Sequence, residues 1–209
     1  MFCPAEKIIK NLKENNRPFI LVDSKDRENE GDLIIPAQLI TKEWMNFIIT
    51  HCKGIPCVCI TESLASLLGL RLMDRSGQSE NCAYFTTTIE AKKGVTTGIS
   101  AADRAHTISL LTKKDVSKDH FVTPGHTLPL VINKNGLKKR TGHTEGAATF
   151  AKLAGFQPTS VICEILDYDG NSASSDFLKS FSVKHGFDVV SVEDLCLYLE
   201  NNNIDIRFD

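Results

Sequence analysis

The chain has 209 residues, 42% hydrophobic and 24% charged, with 24 basic against 26 acidic side chains and a net charge of −2. That balance is ordinary for a globular protein. It excludes a strongly basic nucleic-acid footprint and a polyacidic tail, and no run nears the ~20 apolar residues of a spanning helix. The opening MFCPAEKIIK has no basic stretch followed by an apolar core, so no signal peptide is expected. Seven cysteines, an odd number with no CxxC pair, argue against a disulfide framework and a structural zinc site. The expected compartment is therefore reducing and cytoplasmic.

In chain order, Ala5 to Asn15 predicts a helix with apolar residues at 8, 9 and 12, and Pro4 suits its first turn. Phe19 to Val22 and Leu33 to Ile35 are apolar runs read as buried strands. Lys42 to Cys52 carries a wide apolar helical face. Ile55 to Ile60 reads as strand and Glu62 to Leu68 as a short helix capped by Thr61. Tyr84 to Ile89 alternates and is Thr-rich, again strand. Ser100 starts a helix with Asp103 three positions on, an Asp version of the capping box.

Leu128 to Ile132 is a strand, and Gly136 a turn. Thr144 to Leu153 is a helix that Gly155 stops. Ser160 to Leu166 is a strand running into the turn Asp167-Tyr168-Asp169-Gly170. Phe177 to His185 is a helix ended by Gly186, Val189 and Val190 lie in a strand, and Val192 to Leu199 is the last helix. Ile204 to Phe208 is expected as an edge strand. The polar stretches 24–31 and 113–127 lack periodicity and read as loops. With no repeat and no linker, the expected fold is α/β (α+β). It is a single-domain three-layer sandwich over 1–209, with a mixed, twisted β-sheet flanked by helices.

Five segments hold residue types that suit chemistry. Asp26-Arg27-Glu28-Asn29-Glu30-Gly31-Asp32 crowds four carboxylates, which repel unless a cation or hydroxyls sit among them. A hard cation such as Mg²⁺ takes carboxylate oxygens; the alternative is a solvated turn between hairpin strands. Arg140-Thr141-Gly142-His143-Thr144 opens a helix, where free N–H groups bind anions; the alternative is a plain capped start. His126, in a Pro-Gly turn, suits a general acid or base or is merely solvated. Glu164, in an apolar strand, is a perturbed acid/base if buried or sits on a wet face. Gly94 to Arg104 contacts a phosphate or sugar hydroxyls, or is a well-capped helix start.

Together the stretches DRENEGDLIIPA (26–37), GVTTGISAADRAHT (94–107), PGHTLPL (124–130), RTGHTEGA (140–147), LAGFQPTSVICEI (153–165) and DYDG (167–170) resemble the 3,4-dihydroxy-2-butanone 4-phosphate synthase family of riboflavin biosynthesis. The resemblance implies a stand-alone lyase, without the GTP cyclohydrolase half of bifunctional relatives. It would convert D-ribulose 5-phosphate to 3,4-dihydroxy-2-butanone 4-phosphate and formate. It implies Mg²⁺, with Mn²⁺ able to serve, and a homodimer with active sites near the interface.

Position by position, it implies Glu28 and His143 as metal ligands and His126 and Glu164 as the catalytic pair. By the same resemblance, substrate would be held by Arg27, Glu28, Asp32, Arg140, Thr141, Gly142, His143, Thr144 and Glu164. Glu30 completes the acidic network, and Cys57 lies close by. Departures are Thr123 and Leu128 in place of an arginine and an aromatic around the PGH turn. Gly146 replaces an alanine, where glycine costs up to ~1 kcal/mol of helix stability. Loop 24–31 is a candidate lid with Gly31 as its hinge. A catalytically silent sugar-phosphate binder is the rival reading; it predicts loss of Glu28, His126, His143 or Glu164, and all four are present.

Overall fold

The computed structural model describes residues 2–77 and 82–209. Seven strands form one sheet: β1 (Phe19–Val22), β2 (Gly31–Pro36), β3 (Cys57–Ile60), β4 (Ile89–Ala91), β5 (Phe121–Val131), β6 (Ser160–Glu164) and β7 (Val189–Ser191). Their order is β4-β5-β3-β6-β2-β1-β7. The β1–β7 and β3–β5 pairs are parallel and the others antiparallel.

Seven helices cover the faces: α1 (Ala5–Asn15), α2 (Lys42–Phe47), α3 (Glu62–Leu67), α4 (Ala101–Leu110), α5 (His143–Leu153), α6 (Ser175–His185) and α7 (Val192–Asn201). Hydroxyl caps start five of them. Thr41, Thr61, Ser100, Ser174 and Ser191 each accept a hydrogen bond from a first-turn N–H, satisfying a donor the helix leaves open.

Alternation along the strands divides the core. Ile20, Leu33, Ile35, Val58 and Ile60 pack with α2, α4 and α6. Leu21, Ile34, Cys57, Cys59 and Ile162 pack with α1, α5 and α7. Both faces are covered, which is why the central strands read as unbroken apolar runs. The expected three-layer mixed sandwich is what forms.

Several boundaries differ from expectation. Tyr84 to Thr88 makes only isolated bridges at Phe85 and Thr86, and the strand falls at Ile89–Ala91. Residues 121–127, expected as loop, form the first half of β5; they sit at the sheet's rim and are largely exposed, so no alternation marks them. The Lys42–Cys52 helix widens into a π-turn over Ile48–Cys52. Ile204 to Phe208 joins no strand. Instead the Phe208 N–H donates to the Lys134 carbonyl at 2.9 Å, and the ring is 2% exposed in the α5-side core. Phe208→Ala is therefore expected to cost about 3–5 kcal/mol, read as a fall in urea midpoint at unchanged m-value.

Candidate active site

The acidic segment is the turn of the β1–β2 hairpin, closed by the Val22–Gly31 pair. Asp23, buried at the end of β1, organises it. Its carboxylate accepts from the Glu28 N–H at 3.1 Å, the Glu30 N–H at 2.9 Å and the Arg27 guanidinium at 2.9 Å. Sequence reasoning passed over this residue; its one signal is an acid closing the run Phe-Ile-Leu-Val. Gly31, the candidate hinge, is the first paired residue of β2, and a Cβ there would lie 2.6 Å from Leu178; its smallness makes room for that side chain.

Asp32 and Glu164 are directly opposed on β2 and β6, so both face the α5 side. The start of α5 lies over them. His143 Nδ1 is 3.8 Å from Glu28, and Nε2 is 3.9 Å from Asp32. Asp23, Glu28 and His143 offer ligand atoms within 4.8 Å of one another. The imidazole holds the Glu28 carboxyl down to about 2, against the opposing effect of burial. Burial, opposed by His143, pushes the Asp32 carboxyl up to about 7. His143 itself is raised to about 9: burial disfavours its charge, but Asp32, Glu28 and Asp23 outweigh that. One Asp32 oxygen is buried with no hydrogen-bond partner. An orphaned buried acceptor among crowded carboxylates is what a cation or a substrate hydroxyl would satisfy.

Beside this cluster, Gly142 caps α5 with no side chain of its own. A Cβ on it would lie 2.7 Å from the Arg140 guanidinium and 3.1 Å from that of Arg27. Two arginines thus crowd a helix N-terminus, a geometry suited to an anion. Arg140 is buried against Glu145 at 2.6 Å. Thr144 is buried in the first turn and Thr141 is exposed.

One cavity of about 220 Å³ joins these groups, lined by Arg27, Glu28, Glu30, Asp32, Arg140, His143, Thr144 and Glu164 with Cys57, Ile162 and others. Glu30 also accepts from the Ser172 hydroxyl. Strand alternation puts Ile162 and Glu164 on the cavity face, so Glu164 is half-buried at the pocket wall. Its carboxylate accepts the Ile55 N–H at 2.8 Å. Gly54 permits this approach, because a Cβ there would lie 2.5 Å from the same carboxylate. Burial pushes the Cys57 thiol far up, so it lines the pocket as an apolar group.

His126, Thr141 and Gly142 are not among the lining residues. Cys57 pairs with Leu128 on one side and Ile162 on the other, so the strands that carry His126 and Glu164 flank β3. His126 is exposed, with its Nδ1 2.5 Å from Glu90.

Comparison with known proteins identifies the family. The profile of the 3,4-dihydroxy-2-butanone 4-phosphate synthase family matches residues 6–198. The Syntrophotalea carbinolica protein of that name is 42% identical over 202 residues, covering 95% of this chain and 93% of its own. A synthase crystal structure described as a complex with two magnesium ions superposes with a TM-score of 0.88. It is 31% identical, over 98% of this chain and all of that one. A two-domain synthase from A. baumannii gives a TM-score of 0.89 at 38% identity; this chain covers 58% of its length. The chain belongs to the 3,4-dihydroxy-2-butanone 4-phosphate synthase family.

Proposed function

We propose that the cavity between β2, β6 and the start of α5 converts D-ribulose 5-phosphate to 3,4-dihydroxy-2-butanone 4-phosphate and formate. One observation carries the assignment: the Glu28–His143 donor pair and the Arg27/Arg140-lined helix N-terminus open into the same small cavity. A phosphorylated ketose needs both, one for its oxygens and one for its phosphate.

Arg27, Arg140, Gly142 and Thr144 bind the phosphate, with Thr141 at the exposed rim. Asp32 and Glu30 take sugar hydroxyls. Glu28 and His143 would hold Mg²⁺, or Mn²⁺, which shares its preference for oxygen ligands. Such an ion acts as a Lewis acid for the negative charge that develops on neighbouring substrate oxygens. The proton on C3 is acidic because a carbonyl adjoins it. Glu164 and His126 divide the proton transfers that follow, a carboxylate and an imidazole suiting protons of different acidity.

His126 lies off the cavity, and a homodimer with its active sites near the interface accounts for this. Ile55 is 61% exposed beside Glu164, and Val122 is 41% exposed opposite Glu90. A second copy covering these apolar side chains would close the pocket mouth. No helix among the described residues is long and apolar enough to cross a membrane. Cys3, Cys52, Cys57, Cys59, Cys163 and Cys196 form no disulfide, in keeping with a cytoplasmic enzyme.

The test is formate release from ribulose 5-phosphate, with sedimentation to give the mass. Expected are Mg²⁺-dependent formate production, its loss with EDTA, its return on adding Mg²⁺, and a dimer. Absence of formate with Mg²⁺ present overturns the reaction; a monomer at assay concentration overturns the dimer.

A further inference from the structure

The β4–β5 pair contains a register break. Ile89 pairs with Thr127, yet the next residue, Glu90, pairs with Val122. Residues 123–126 therefore form an excursion within β5, and His126 lies in it. Gly125 lets the excursion fold down on β4, since a Cβ there would overlap the Ile89 backbone. The Gly125 N–H also donates to the Thr88 hydroxyl at 3.0 Å. The result is a His126 Nδ1 to Glu90 Oε2 contact of 2.5 Å. The Glu90 side chain is only 16% exposed, the His126 side chain 45%.

Glu90 is in turn walled in by the Gly94–Ser100 turn. Gly98 has φ +86°, and a Cβ on it would overlap the Glu90 carboxylate. That turn is pinned by Asp103, which accepts from the Thr96 N–H, the Thr96 hydroxyl and the Gly98 N–H. Two motifs distant in sequence, GVTTGISAAD and PGH, thus meet at one carboxylate.

We propose that Glu90 is a positioning residue for the reaction, acting through His126; this rests on the reading of His126 as one of the catalytic pair. A carboxylate only accepts hydrogen bonds, so it fixes the proton of the neutral imidazole on Nδ1. That leaves the Nε2 lone pair exposed as the base. When Nε2 takes a substrate proton, the ring becomes an imidazolium and the adjacent carboxylate stabilises its charge without itself being protonated. Burial and the Gly98 wall keep the carboxylate in one orientation, so the imidazole is aimed before substrate arrives.

The experiment compares Glu90→Met, Glu90→Asp and His126→Ala with the wild type by steady-state kinetics. It adds ¹⁵N NMR of the histidine rings and a thermal melt. Expected are a neutral His126 ring protonated at Nδ1 in the wild type and a shift to the Nε2-protonated form in Glu90→Met. In Glu90→Met, kcat should fall about 100-fold with KM within about threefold of wild type. Glu90→Asp, which keeps the carboxylate, should recover part of kcat. Wild-type kcat in Glu90→Met alongside an inactive His126→Ala overturns this inference alone. A wild-type ring protonated at Nε2 also overturns it, and so does a Glu90→Met variant that no longer melts cooperatively while Glu90→Asp shows no recovery of kcat. Full activity in His126→Ala removes the catalytic assignment first and this inference with it.

Discussion

Glu164→Gln is expected to lower formate release by about 10²–10⁴-fold, the usual contribution of a positioned acid/base, with an unchanged melting temperature. The geometry makes this substitution clean. The Glu164 carboxylate accepts one hydrogen bond, from the Ile55 N–H at 2.8 Å, and a glutamine carbonyl oxygen can accept the same bond. Gly54 leaves just enough space for the group, and glutamine has nearly the same volume as glutamate. The fold loses almost nothing, and the site loses its ability to hold a proton at that atom. Turnover within threefold of wild type, measured at saturating substrate and Mg²⁺ with a normal melt, would remove Glu164 from the catalytic pair. A matching rise in KM with unchanged kcat would instead assign it to substrate binding alone.

How much of this was legible beforehand depends on the range of the interaction. Strands β1 and β3 and the centres of β2 and β6 announce themselves because both faces are buried there and those residues are apolar. Helices α3 and α4 announce themselves through hydroxyl caps. These signals are local. The rim of the sheet is not legible in this way: Phe121, Val122 and Thr127 are held in β5 by partners on β4, His126 by the Glu90 carboxylate, and nothing in their own sequence pattern says so. The motifs named Glu28, His143, Arg140 and Glu164 as residue types. Their convergence depends on β2 pairing with β6 and on α5 lying across both, contacts separated by more than a hundred positions. Thr141 shares a motif with Arg140 and Gly142 yet faces solvent, because the chain turns inward only at its neighbours. Asp23 and Gly54 act by holding backbone or making room, roles that leave little trace in composition.

Arg140→Met is expected to have two large effects with separable causes. Arg140 and Glu145 form an ion pair at 2.6 Å, with side-chain exposures of 6% and 0%. Burial already pushes the Glu145 carboxyl up, against the opposing effects of Arg140 and the Asn133 N–H. Removing the guanidinium strands that carboxylate, and breaking a buried pair costs about 3–5 kcal/mol. The melting temperature should therefore drop steeply. The second effect is on phosphate. Arg140 stands at the α5 N-terminus beside Arg27, so its loss takes a charge-assisted donor from the proposed anion site. Losing such a partner is worth about 2–5 kcal/mol, or roughly 30- to several-thousand-fold in kcat/KM. The double variant Arg140→Met, Glu145→Leu separates the two. Replacing both partners of a buried pair by apolar groups is often neutral, so stability should return while kcat/KM stays low. Recovery of both together would make Arg140 a purely structural residue and leave Arg27, Thr144 and the helix N-terminus as the whole phosphate site.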